Sequence, residues 1–188
     1  MKTKFKIKLR GKILGIFISI LIFLSILVLV VVYREVRSLA YRDIDAQLNT
    51  ASNIGYSLIL QKYPGNWKVE GDKLYKGDKL INNDTDFVDT IKKDTGHLST
   101  IFLGDTRIST NVLNSDGTRA IGTKVSDKIS SIVLKSGQEY VGEATILNSL
   151  YQTKYIPIKD ATGKVAGIFF VEVDKASINI TIFNLMLI

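Results

Sequence analysis

Residues 139–173 read EYVGEATILNSLYQTKYIPIKDATGKVAGIFFVEV, a stretch that predicts three successive β-strands. The predicted strands are 139–146, 150–158 and 165–173, and the turn Asp160-Ala161-Thr162-Gly163 joins the last two. Strands that follow one another through short turns pair antiparallel. This stretch therefore predicts part of an antiparallel sheet.

The residues before this stretch supply two hairpins and two short helices. Segments 67–69 and 74–76 predict the first hairpin, and 99–103 and 106–112 predict the second. A helix is predicted over 84–95, before Gly96, and another begins at the N-cap Ser126 and closes at Gly137. The order of elements predicts an α+β fold in which helices cover one face of the sheet.

Residues 33–62 predict one long helix that ends at Pro64-Gly65. Steps of three and four separate its apolar residues, as in an amphipathic helix. The apolar positions are Val36, Leu39, Ala40, Ile44, Leu48, Ala51, Ile54 and Leu58. The stripe packs either on its own domain or on a second copy. We expect the membrane-proximal half to face a partner, giving a homodimer, and the distal half to face the domain.

Residues 13–32 read ILGIFISILIFLSILVLVVV, without a formal charge. Twenty helical residues span about 30 Å, the thickness of a hydrocarbon core. Residues 1–12 carry six basic and no acidic side chains, whereas charges after residue 32 nearly cancel. The positive-inside rule then predicts a cytoplasmic N-terminus and an extracytoplasmic chain from residue 33. A cleaved signal peptide is the alternative, but its apolar region would be shorter.

The C-terminal residues 178–188 read INITIFNLMLI and are too few to cross a bilayer. We interpret them as the start of a second membrane helix; a helix packed on the domain is the alternative. The predicted organisation is a basic cytoplasmic tail (1–12), a transmembrane helix (13–32), an extracytoplasmic domain (33–177) and the truncated second helix (178–188).

Composition and charge exclude several function classes. The net charge of +7 comes almost entirely from the basic tail, so the domain has no field that attracts nucleic acid. The chain has no cysteine and a single histidine, His97, at a predicted helix end. Nucleophile motifs, metal-ligand clusters and phosphate-binding loops are missing. We therefore expect no enzymatic activity, no metal and no cofactor.

Five residues are candidates for binding a small solute: Thr100, Arg107, Arg119, Tyr151 and Tyr155. Arginine supplies a planar donor pair for an organic anion. Simple strand alternation would place Arg107 on one face with Ser109 and Asn111, and Ile108 and Val112 on the other. Because the apolar Ile108 and Val112 would normally face the core, the direction of the Arg107 side chain stays open. Arg119 binds ligand or forms a structural salt bridge. Tyr151 and Tyr155 share a strand face, opposite Lys154, and either cover the solute or belong to the core.

The segment Gly65–Val173 resembles the single-Cache sensor domains of bacterial methyl-accepting chemotaxis receptors. An ordered set of short motifs carries the likeness: GNW (65–67), LYKG (74–77), TIFLGDTR (100–107), TN (110–111), DGTRAIGT (116–123) and YIPIKD (155–160). The resemblance implies a PAS-like antiparallel sheet of five to six strands with covering helices, following a long N-terminal helix. It also implies a small extracellular solute bound between the sheet and its covering loops.

The predicted function is that of an extracytoplasmic small-molecule sensor anchored in the bacterial cell membrane. Ligand occupancy would reach a cytoplasmic output through the second membrane helix, as in a chemoreceptor-type transducer. The resemblance leaves open a histidine kinase or a cyclic-dinucleotide enzyme as the output. An anchored interaction module without signalling is the rival hypothesis. The expected partners are an organic anion or amino acid, the lipid bilayer and a second copy of the chain.

Overall fold

A computed structural model describes residues 9–146 and 149–174 of the protein. The expected second membrane segment, most of the basic tail and the last residues of the predicted domain lie outside the described residues. The elements, in chain order, are α1 Leu9–Lys62, β1 Trp67–Glu70, β2 Lys73–Lys76, β3 Lys79–Leu80, α2 Asp86–Thr95, β4 Leu98–Leu103, β5 Thr106–Thr110, α3 Asp127–Ile129, a π-helix Ser130–Lys135, β6 Tyr140–Ile146, β7 Ser149–Lys159 and β8 Val165–Asp174.

Helix α1 is continuous over 54 residues, so the apolar segment 13–32 and the amphipathic segment 33–62 belong to one helix. Within the described residues it is the one helix long and apolar enough to cross a membrane. The large side chains before residue 34 are exposed, whereas the buried residues of α1 begin at Ala40. The helix therefore has an uncovered apolar half and a half packed on the domain.

The buried stripe of α1 differs from the predicted one. Leu39 and Ile54 are exposed, whereas Ser52 and Gly55 are fully enclosed. A Cβ at Gly55 would lie 2.7 Å from both Ile91 Cδ1 and Phe169 Cζ. The helix lies close to α2 and the sheet at this glycine, and close approach needs a small residue rather than an apolar one.

The main sheet has five antiparallel strands in the order β5-β4-β8-β7-β6. The predicted three-strand stretch forms β6, β7 and β8, and the second predicted hairpin forms β4 and β5. A separate three-stranded sheet, β1-β2-β3, contains the first predicted hairpin. Its third strand has only two residues, which is too short for the alternating pattern that identified the others.

Helices cover both faces of the sheet, so the expectation of a single covered face was wrong. On the first face α1 and α2 pack against Ile101, Phe169 and Val171. On the second face α3 and the π-helix bury Ile129 and Val133 against a cluster that contains Phe102 and Phe170. Strands β4, β7 and β8 are apolar on both sides, and this requires a cover on each.

Candidate ligand-binding site

A cavity of about 340 Å³ lies on the second face of the sheet, between strands β4–β7 and the segment that leads into α3. Its lining comprises Phe102, Arg107, Thr123, Lys124, Val125, Ser126, Lys128, Ile129, Tyr140, Glu143, Ala144, Thr145, Ile146 and Tyr155. The floor is therefore sheet, and one wall is the 123–129 segment. The volume suits a small organic molecule of a few carbon atoms.

A β-bulge turns Arg107 into this cavity. The register of β4 and β5 shifts between Ile101 and Phe102, so Ile101 pairs with Ser109 but Phe102 pairs with Arg107. Ile108, the extra residue, packs instead in the core beneath α1 and α2. A bulge of this kind re-aims a side chain. The bulge therefore places the Arg107 side chain on the opposite face of the sheet from Ser109, although simple alternation would have placed them on the same face.

The partners of Ser109 and Asn111 confirm that they face the other way from Arg107. The Ser109 hydroxyl donates to the Asp84 carbonyl, and the Asn111 amide donates to the Val88 carbonyl of α2. Simple alternation was therefore wrong for this strand, because it assumed an uninterrupted ladder. The sequence contains no glycine at the bulge that would have revealed it.

Within residues 9–146 and 149–174, the buried Arg107 guanidinium has no acidic partner. It is 7% exposed, and its Nη1 donates to Thr123 Oγ1 at 2.8 Å. Its Nε has no hydrogen-bond partner among the described residues, and none of their ion pairs includes Arg107. Burial lowers the pKa of Arg107 from its ordinary value, although arginine stays charged in proteins. Burial of a charge is costly unless the charge is paired, so an anion bound beside this guanidinium would be stabilised.

Aromatic rings form the walls around the guanidinium. The Arg107 Cζ lies 5.2 Å from the centre of the Phe102 ring. Burial raises the pKa of Tyr155 to about 12, so its hydroxyl stays protonated and is able to donate a hydrogen bond. The rings of Tyr155 and Tyr140 are 6.0 Å apart. The cavity thus combines a fixed cation with apolar walls and neutral hydroxyl groups.

The charges around the cavity are predominantly positive. Lys128 Nζ lies 3.1 Å from the Tyr140 hydroxyl and 4.9 Å from the centre of its ring. Lys124 also belongs to the lining and pairs at 3.0 Å with Asp105, which does not line the cavity. Glu143 is the one acidic residue of the described lining, and its side chain is on the exposed side of β6. The electrostatic balance favours a negatively charged ligand.

The structure brings two of the five candidate residues, Arg107 and Tyr155, together in the cavity. Thr100 is fully buried, and its hydroxyl shares a hydrogen bond of 2.6 Å with that of Thr110. Arg119 forms a bidentate ion pair with Asp89, at 3.0 and 2.8 Å, and also donates to the Thr110 carbonyl. Thr100 and Arg119 lie outside the lining.

Tyr151 shares the face of Tyr155, as expected, and packs against the same apolar cluster without lining the cavity. Lys154 lies on the opposite face, where it bonds to Asn49 of α1. Sequence reasoning missed the lining residues Thr123, Lys128 and Tyr140. Alternation along β6 places Tyr140 on one face with Ala144 and Ile146, and this was the available signal for Tyr140.

No metal site accompanies the cavity: within residues 9–146 and 149–174, no three His, Asp or Glu side chains are placed to hold a metal ion. The described lining offers cations, hydroxyls and aromatic rings, and Glu143 is its single carboxylate. The arrangement is suited to holding an anion and contains no evident nucleophile–base pair.

Comparison with known protein families identifies the domain. Residues 79–184 match the family model described as single Cache domain 3. The chain belongs to the single Cache domain family. The match covers more than half of the chain and includes every strand of the five-stranded sheet that forms the Cache domain here.

The other comparisons add little to the family match. No curated protein matches the chain. Among solved structures, the chain is similar to one titled "Crystal Structure of the E. coli DcuS Sensor Domain". The two share 14% sequence identity over 78% of this chain and 97% of that chain, with a TM-score of 0.45. The expectation of a single Cache domain is therefore confirmed by the family match, whereas the chemoreceptor context stays a prediction.

Proposed function

We propose that this Cache domain is an extracytoplasmic sensor that binds a small organic anion in the cavity of Arg107. The single observation that carries the proposal is a buried guanidinium whose Nε has no acceptor among the described residues. A carboxylate would supply that acceptor and neutralise the charge at once. Tyr155 and Tyr140 would cover the rest of the solute.

An organic anion is favoured over an amino acid, the second ligand class expected from the sequence. An amino acid requires an acceptor for its ammonium group beside the donor for its carboxylate. The acidic side chain of the described lining, Glu143, is exposed on the edge strand β6, whereas Arg107 is buried. The lining lysine Lys128 would also repel an ammonium group.

Calorimetry on the full chain in lipid nanodiscs tests the proposal. The panel contains acetate, pyruvate and succinate as anions, and glycine as a zwitterion, each at up to about 10 mM. We expect at least one carboxylate to bind and Arg107→Met to weaken it at least about tenfold, since a charged hydrogen bond contributes about 1.5–3 kcal/mol.

The control is Arg119→Met, which removes an arginine that lies outside the cavity and is already paired with Asp89. It should retain binding within about twofold. The proposal is contradicted when no carboxylate binds, or when Arg107→Met and Arg119→Met weaken binding equally.

We also propose that the domain lies outside the membrane, with residues 13–32 as its anchor and a second copy as its partner. The uncovered apolar half of α1 and the family membership support this topology. A chemoreceptor-type transducer remains the proposed context, with a histidine kinase or cyclic-dinucleotide enzyme as the alternative output. The described cavity favours a sensor over a non-signalling interaction module, and we propose no enzymatic activity for it.

A further inference from the structure

Lys154 is a buried lysine on the other side of β7 from the cavity. It is 8% exposed, and its neighbour Tyr155 lines the cavity. Because side chains alternate along a strand, Tyr155 points to the cavity and Lys154 to α1. An ammonium group is costly to bury unless it is bonded, so its partners restrict its position.

The Lys154 ammonium joins three parts of the domain. Its Nζ lies 2.9 Å from Asn49 Oδ1 of α1 and 3.2 Å from Glu139 Oε2. Glu139 immediately precedes β6, whose first residue, Tyr140, lines the cavity. One side chain on β7 is thus bonded both to α1 and to the start of the strand that forms an edge of the cavity.

We propose that Lys154 couples occupancy of the cavity to the position of α1, and the proposal rests on the proposed function. A ligand that packs against Tyr140 and Tyr155 displaces the β6–β7 hairpin, and Lys154 moves Asn49 with it. Other buried α1 residues, such as Ile44 and Leu48, make apolar contacts, which are non-directional. The hydrogen bond to Asn49 is directional and fixes one register between helix and hairpin.

The continuity of α1 gives this contact a consequence at the membrane. The helix runs without interruption from Asn49 back through residues 13–32. Val32 is about 25 Å from Asn49 along a helix with a rise of 1.5 Å per residue. A displacement at Asn49 would therefore reach the anchor through the N-terminal helix, in addition to any route through the strand β8.

The test perturbs the cavity without requiring a ligand. Ala144 lines the cavity on β6, and Ala144→Leu places extra side-chain volume there. Hydrogen exchange of the α1 amides 40–52 is measured on the full chain in nanodiscs of phosphatidylethanolamine and phosphatidylglycerol. Ala144→Leu is compared in three backgrounds: unmodified, Lys154→Met, and Lys159→Met. Lys159 is the matched control because it is an exposed lysine on the same strand.

We expect Ala144→Leu to change α1 exchange at least about threefold in the unmodified and Lys159→Met backgrounds. The change should fall below about 1.5-fold in Lys154→Met, because the bond to α1 is absent. An equal change in all three backgrounds, or no change in any, overturns the proposal.

A second variant guards against a folding defect in Lys154→Met. Asn49→Ala removes only the α1 end of the contact and leaves Lys154 bonded to Glu139. It should abolish the response of α1 to Ala144→Leu, whereas Asn49→Asp, which converts the contact to an ion pair, should preserve it. A full response in Asn49→Ala overturns the coupling. Carboxylate binding is measured separately, so its failure would count against the proposed function and not against this contact.

Discussion

Arg107 and Arg119 follow a threonine in the sequence alike, but the fold places them in different environments. Arg119 is neutralised by Asp89 and by the Thr110 carbonyl, and its side chain is 33% exposed. Arg107 is enclosed by Phe102 and Thr123 and lacks an acidic partner among the described residues. A salt bridge that is satisfied within the fold contributes to stability, whereas an unsatisfied buried cation is available to a ligand.

Arg119→Met should lower the free energy of unfolding by about 1–2 kcal/mol, because it removes charge-assisted hydrogen bonds in a partly exposed pair. Chemical denaturation of the full chain in detergent measures the change. Asp89→Asn serves as the comparison, since it removes the opposite charge from the same pair. A loss below about 0.3 kcal/mol in both variants would show that the pair is not structural.

His97 supplies a pH prediction because it is the single histidine of the chain. Burial disfavours the imidazolium and lowers the pKa of His97 from its ordinary 6.5. The stability that this depressed pKa contributes is complete above pH 6.5 and is lost as the pH falls through the folded value.

Proton NMR of the imidazole resonance measures the pKa of His97 directly. We expect a midpoint below that of free histidine, and His97→Gln should remove part of the loss of stability that occurs as the pH falls below 6.5. A midpoint at or above the ordinary value would contradict the buried environment.

The central strands β4 and β8 approach each other too closely for any side chain at Gly167. A Cβ there would lie 2.0 Å from the Phe102 carbonyl oxygen, which is backbone and is not free to rotate away. Gly167→Ala should therefore destabilise the domain by about 2–3 kcal/mol or more, through separation of the two strands.

Gly163 is the matched control, since it lies in a turn and a Cβ there meets nothing within 4 Å. Gly163→Ala should cost only about 1–2 kcal/mol, because of its positive φ. Equal losses of unfolding free energy in the two variants would contradict the tight β4–β8 contact.

The elements themselves were largely predictable from the sequence, and the details of the site were not. Alternation and turn residues identified β4–β8, and helical spacing identified α1 and α2. The direction of Arg107 depends on a bulge whose residues, Ile101 and Phe102, are ordinary strand formers. The lining residue Lys128 sits on a short helix whose apolar positions predict packing alone. The direction of Arg107 and the position of Lys128 in the lining both depend on long-range contacts rather than on the local sequence pattern.

The partners of two candidate site residues, Arg119 and Thr100, also could not be predicted from the local sequence pattern. The partner of Arg119 is Asp89, 30 positions away in the sequence, and the partner of Thr100 is Thr110 on the adjacent strand. Sequence reasoning correctly weighed a salt bridge for Arg119 but had no means of naming the carboxylate. The covering of both sheet faces follows from apolar residues on both sides of β8, a pattern that is visible only once the strands are assigned.

The proposed membrane topology can be tested by cysteine labelling, because the chain contains no native cysteine. Ser115 lies in an exposed loop of the domain, and Arg10 lies at the start of α1. In intact cells, a membrane-impermeant maleimide should label Ser115→Cys directly. Arg10→Cys should react only after permeabilisation. The reverse pattern would contradict an extracytoplasmic domain.

The most direct measurement of the central claim is the ¹⁵N NMR signal of the Arg107 Nε–H, assigned by its loss in Arg107→Met. This buried N–H has no acceptor among the described residues. On titration with the carboxylate that binds in calorimetry, the account predicts a downfield shift of this proton and slower exchange with solvent, because the carboxylate accepts its hydrogen bond. An unchanged Arg107 signal at saturation would contradict a carboxylate site at this guanidinium.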